Sequence, residues 1–184
     1  MQSEVIIAGF GGQGVLLVGH LIAYAGMLEG KEVTWLPSYG PEIRGGTCNC
    51  TVVVSDRRIG SPSIPHPAAV IVMNRPSLDK FEPAVAPGGS LIVNSSLTDR
   101  LPSRADLRTF LLPASGMAQE LGSSRVANLI LLGAYLAATG VVSFPGVMAA
   151  LEGILPSDKH PLLPLNRRAL EAGIEFVNGA GRAG

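Results

Sequence analysis

The chain is poor in cysteine, in aromatic residues and in charge. Its 184 residues include two cysteines, Cys48 and Cys50. Only two positions apart, they cannot build a disulfide framework, and two thiolates alone hold neither an iron–sulfur cluster nor a structural zinc. Aromatics make up 5%, too few for a platform on which bases stack. Charged residues make up 15%, with 14 Lys and Arg against 14 Asp and Glu. No basic run is present, so neutralisation of a nucleic-acid backbone is excluded. A surface this short of charge is either covered by a partner or rich in Gly and Ala, and composition admits both. Long apolar runs are missing too. The most apolar stretch, 126–142, is interrupted by Asn128, Gly133 and Gly140 and reads as a buried helix, not a membrane span. Met1-Gln2-Ser3-Glu4 lacks a basic region and a cleavage site, so no secretory leader is expected and a cytoplasmic location is.

What is present alternates in kind. Residues 4–9, 32–36, 47–55, 69–73, 90–94 and 109–112 read as strands. Residues 15–28, apolar on nearly every face, read as a buried helix stopped by Gly30. Further helices are expected over 76–86, 123–139, 143–155 (capped by Ser143, with Pro145 in its first turn) and 165–178. This predicts an α/β, Rossmann-like, mostly parallel sheet with helices on both faces, as a single domain over 1–178 with a small mobile tail at 179–184. The link at 37–46 is expected to be irregular. It is too short for a parallel crossover, which predicts that the third strand runs antiparallel or is displaced in the sheet.

Gly9-Phe10-Gly11-Gly12-Gln13-Gly14 follows a strand and opens a helix. Glycines there let a backbone approach a phosphate, with free N–H groups at the helix start. The same pattern also serves a tight turn that needs small residues only for packing. A dinucleotide enzyme would want an acidic residue closing the second strand, which instead ends Leu36-Pro37-Ser38, with Glu29 and Glu32 before it. Ser38-Tyr39-Gly40-Pro41-Glu42-Ile43-Arg44-Gly45-Gly46 should start near the glycine turn. Arg44 could clamp a carboxylate or phosphate at two points, Glu42 could orient it or act as an acid or base, and Gly45 and Gly46 would admit another backbone or a ligand. A solvated turn with one surface ion pair is the alternative. Cys48 and Cys50 face the same way on a strand, as a redox pair or as two small core residues. His20, His66 and His160 form no ligand set with them, and Asn128 in its apolar helix should have a buried partner.

These motifs resemble the gamma subunit, or gamma domain, of the 2-oxoacid:ferredoxin oxidoreductases. The resemblance rests on the Gly9–Gly14 motif together with Ser38–Gly46. It continues through Ser55-Asp56, Ile59, Ser61-Pro62, Met73-Asn74, Asn128, Leu132-Gly133, Asn166, Ala169-Leu170 and Gly173. Arg57-Arg58 stands where a more acidic or polar pair is expected in relatives. The resemblance implies a subunit of a complex that oxidatively decarboxylates a 2-oxoacid to acyl-CoA and reduces ferredoxin. The implied partners are alpha and beta subunits, with or without a delta subunit. Thiamine diphosphate, Mg and [4Fe-4S] clusters would lie in those partners. This chain would bind no cofactor tightly by itself, would contact coenzyme A, and would be inactive alone. Its implied binding residues are Gly9, Gly11, Gly12, Gln13, Gly14, Ser38, Tyr39, Gly40, Glu42, Arg44, Gly45 and Gly46, none of them catalytic. A stand-alone NAD- or FAD-dependent oxidoreductase and a purely structural scaffold are the other readings.

Overall fold

Val5 and Ile7 are buried on one side of the first strand, and Ile6 and Ala8 on the other. A strand apolar on both faces belongs in the middle of a sheet covered twice. A computed structural model describes residues 1–39 and 47–180, the side chains of Tyr39 and Ala180 excepted. In it, β1 (Gln2–Phe10) is followed by α1 (Val15–Leu28), β2 (Glu32–Tyr39), β3 (Thr47–Ser55), β4 (Ala69–Val72) and α2 (Arg75–Phe81). Then come β5 (Ser90–Asn94), β6 (Arg108–Leu112), α3 (Ala114–Glu120), α4 (Ala127–Thr139), α5 (Phe144–Ile154) and α6 (Leu163–Ala180). The strands form one sheet in the order β2-β3-β1-β4-β5-β6. β1, β4, β5 and β6 run parallel. β3 lies antiparallel between β1 and β2, as the short 37–46 link predicts. Helices α1, α3, α4, α5 and α6 pack on one face, and α2 on the other. No helix of the described residues is long and apolar enough to cross a membrane.

Two contacts hold the layers. Helices α4 and α6 approach until their backbones touch. A methyl on Gly133 would overlap the carbonyl oxygen of Leu170, and one on Gly173 would overlap that of Ile130. On the opposite face the Glu82 carboxylate, 2% exposed, pins the chain after β5. It accepts the Ser103 N–H (2.5 Å), the Ser103 hydroxyl (3.2 Å) and the Arg104 N–H (3.0 Å), and it pairs with Arg100 at 2.8 Å.

Four local expectations are corrected. Residues 37–39 are not irregular but continue β2, because on an edge strand a proline's missing N–H costs no ladder bond. The helix over 76–86 ends at Phe81 and gives way to a 3-10 turn, Glu82–Ala84. Pro83 cannot donate the next helical bond. The 123–139 helix begins as a 3-10 turn, Ser124–Val126, with Ser123 accepting the Arg125 N–H, and α3 before it was not anticipated. The last helix does not stop at 178 but passes through Gly179 to Ala180, so the first two residues of the expected tail are helical.

Candidate functional site at the carboxyl ends of the central strands

Register brings the two glycine-bearing segments to one edge. Tyr39 of β2 pairs with Cys48 of β3, which pairs with Gly9 of β1. Phe10 in turn faces Thr47. Both ends of the 40–46 segment therefore lie beside the Gly9–Gly14 turn, Thr47 one strand spacing from β1 and Tyr39 two, the latter roughly 10 Å across the sheet. Gly40, Glu42, Arg44, Gly45 and Gly46 themselves lie outside the described residues. Ser38 is exposed on β2 opposite Asn49.

The edge is also the switch point of the sheet. From β1 the chain leaves toward α1 on one face. From β4, its parallel neighbour, it leaves toward α2 on the other. Such a crevice between strand ends is where open α/β sheets take ligands. Here Gln13 spans it. Its Oε1 accepts the Phe10 N–H (2.6 Å) and an Asn74 Nδ2 hydrogen (3.2 Å), while its Nε2 donates to the Met73 carbonyl (3.3 Å). Gly9 is a glycine because a Cβ there would press on Gln13 Oε1 at 2.6 Å. Gly14 caps α1 at φ 79°, where L side chains are strained, and lies directly against the Asn128 carboxamide. Gly12, at φ 94°, is exposed with nothing near it, and Gly11 is half-buried in the same turn.

The turn is thus held from within by a glutamine bound to the neighbouring strand's end. Replacing Gln13 by Leu should cost about 1–2 kcal/mol, the worth of bonds left unmade at a partly buried turn. Urea unfolding checks this, and an unchanged midpoint would remove the tie from the account.

Sequence reasoning gave Asn74 no role. Its Oδ1 accepts the Ser77 N–H (2.9 Å) at the start of α2, and an Asn two residues before Pro76 is the signal that could have found it. The buried partner expected for Asn128 is half there: Oδ1 accepts the adjacent Leu129 N–H (3.0 Å).

Two alternative chemistries meet obstacles in the geometry. A dinucleotide site needs a second strand beside the first, to bring an acidic residue to the ribose. Here β3 separates β1 from β2, and Glu29 is engaged with Lys31 (2.9 Å) and the Ser143 N–H (2.7 Å). The cysteines are not poised for redox or metal chemistry. Burial pushes the Cys50 thiol up to about 12 and raises that of Cys48 as well. No group of three or more His, Cys, Asp or Glu side chains able to hold a metal occurs among the described residues. His20 stacks on Trp35, centroids 5.0 Å apart.

The fold and site define a single-sheet α/β protein with a glycine turn at its switch point and an antiparallel strand inserted beside it. Residues 4–176 match the family model described as pyruvate ferredoxin/flavodoxin oxidoreductase, and the chain belongs to that family. It is 40% identical over 178 residues to the ketoisovalerate oxidoreductase subunit VorA of Methanothermobacter thermautotrophicus, covering 96% of this chain and 36% of that one. It is 37% identical over 185 residues to the 2-oxoglutarate synthase subunit KorC of Methanothermobacter marburgensis, covering 96% and 97%. The chain therefore spans about a third of the first relative and nearly all of the second. Among solved structures, the gamma subunit of a keto/oxoacid ferredoxin oxidoreductase from Geobacter sulfurreducens superposes with a TM-score of 0.83 at 32% identity, over 96% of this chain and 99% of that one.

Proposed function

We propose that this chain is the gamma subunit of a 2-oxoacid:ferredoxin oxidoreductase that converts a 2-oxoacid and coenzyme A to acyl-CoA and passes the electrons to ferredoxin. Thiamine diphosphate with Mg, and the [4Fe-4S] clusters, belong to its alpha and beta partners, with or without a delta chain. Its own part is to complete the complex and to line the coenzyme A path near the thiamine site. The observation that carries this is the shared edge: the glycine turn and both ends of the 40–46 segment sit side by side, and both are motifs of the family. The turn supplies close backbone approach through Gly9, Gly11, Gly12 and Gly14. Ser38 and Tyr39 lead into the segment, in which Arg44 is to serve as the charged contact, Glu42 as its orienting group or as an acid or base, and Gly45 and Gly46 as the points that admit another backbone or a ligand.

The test is Arg44→Ala in the assembled complex, purified with its partners. The expected result is a KM for coenzyme A raised about tenfold or more, the loss of one charge-assisted contact. Unchanged KM and turnover would overturn the role given to the segment. Loss of assembled complex with full specific activity in what survives would favour the scaffold reading instead.

A further inference from the structure

Helix α6, 18 residues long, has two unlike faces. The face with Ala169, Leu170, Gly173 and Val177 is buried and meets α4 backbone to backbone. On the other, Arg167, Arg168 and Glu175 are exposed, and Glu171 and Ile174 are half-buried. The outward charges are sorted along the axis. Both arginines fall in the amino-terminal half, Glu171 at the middle and Glu175 in the carboxyl-terminal half. The helix dipole favours the opposite order, acids first and bases last. The one pair formed within the helix, Arg167 with Glu171 at 3.6 Å, also runs in the less favourable direction. Arg168 and Glu175 have no ion-pair partner among the described residues. Arg167 and Glu175 lie about 12 Å apart along the axis, too far to pair within one chain. Apolar surface borders the same stripe. Phe144, at the start of α5, and Ile174 line two cavities of about 380 and 250 Å3, the larger reaching Leu136, Ala137 and Val142.

We propose that this face is an interface between two copies of the chain, packed α6 against α6 in antiparallel fashion about a two-fold axis at Glu171. An antiparallel copy sets Arg167 beside Glu175 of the second copy and, by symmetry, Glu175 beside Arg167 of the second copy. A parallel copy would set like charges together. Each Glu171 reaches the axis with its own Arg167 already beside it. The charge order that the dipole disfavours in one helix becomes favourable in the pair, because the arginines of each then lie along the carbonyl end of the other. Phe144 and Ile174 supply the apolar area that the contact takes out of water. The assignment rests on this chain's own surface and not on the assembly proposed above, and its test uses the free full-length chain.

Sedimentation equilibrium over a range of concentrations should show a reversible monomer–dimer equilibrium. Arg167→Glu and Glu175→Arg each place like charges together at two symmetric points, and each should weaken the dimer about tenfold or more. Mixing the two variants in equal amounts should restore it, because each then offers the other the opposite charge at both points. Both positions are exposed, and a thermal melt checks that the variants are folded. If a reversal unfolds the chain, Glu175→Gln decides: it removes the charge alone and should weaken the dimer about three- to tenfold. A monomer at every concentration, a dimer indifferent to the charge variants, or a mixture of folded variants no more associated than its components would each overturn the interface. A monomeric wild-type chain, with loss of the assembled complex for Arg167→Glu, would overturn it too and give the face to a partner subunit. None of these results depends on whether Arg44→Ala alters the KM for coenzyme A.

Discussion

Gly173→Ala is expected to lower the stability of this chain by about 3 kcal/mol or more, the upper range for overpacking a close-packed contact. The added methyl would overlap the Ile130 carbonyl oxygen and come within 2.8 Å of the Ala134 nitrogen. Those atoms are helix backbone and cannot turn aside as a side chain would. Relief requires α6 to withdraw from α4, and Ala169 and Leu170, both fully buried on α6, would lose their packing with it. Gly133→Ala attacks the same crossing from the other side, against Leu170. The two effects should not add, since one separation of the helices accommodates both methyls. Gly179→Ala is the internal control: it lies in the same helix with nothing within 4 Å, and Ala favours the helix over Gly. Thermal unfolding should show a fall of roughly 6–12 °C for Gly173→Ala and none for Gly179→Ala. Equal behaviour of the two would mean that the helices are not in backbone contact.

Glu82→Ala should cost about 3 kcal/mol, for a different reason. The buried carboxylate is the common acceptor for Ser103, Arg104 and Arg100, so its removal strands several donors at once. Arg100→Ala should cost less, because Arg100 is partly exposed and Glu82 keeps its backbone partners. The pH dependence follows from the same contacts. Burial opposes the charge on Glu82, but the Arg104 and Ser103 N–H groups and Arg100 outweigh it and hold the pKa below its ordinary 4.5. The folded state therefore binds this proton less readily than the unfolded chain. The stabilisation is complete above the ordinary value and is lost as pH falls below it through the depressed one. Urea unfolding at pH 7 and pH 4 should show a smaller loss between the two for Glu82→Gln than for the wild type. An equal loss would assign the acid sensitivity to the other carboxylates.

Much of this architecture was legible in one dimension. The bounds of α1, β3 and β5 follow from runs of apolar and β-branched residues bracketed by glycine, proline and polar turns. Ser143 and Pro145 mark the start of α5. The antiparallel insertion of β3 follows from a link too short to cross over. The pairing of Gly-Gly-Gln-Gly with Tyr-Gly-Pro-Glu-Ile-Arg-Gly-Gly identified the family, which the whole-chain comparison bears out. α3 was not legible, because seven residues containing Gly116 carry too little periodicity to stand out from a loop. Nor was the use of Gln13: a glutamine in a turn has no pattern, and its partners Met73 and Asn74 lie some sixty positions away.

The sequence by itself determined where the chain turns, which segments are strand or helix, and which family motifs it carries, because these depend on residues within one or two turns of each other. The tertiary structure alone decided why particular glycines are glycines. Gly9 makes room for Gln13, Gly14 for Asn128, Gly133 for Leu170 and Gly173 for Ile130, each a contact between elements distant in the chain or folded back on it. It also placed Phe144 and Ile174 at one cavity with Glu171 and Glu175. Such meetings depend on strand register and helix crossing, which the packing of the whole core sets and no local pattern encodes.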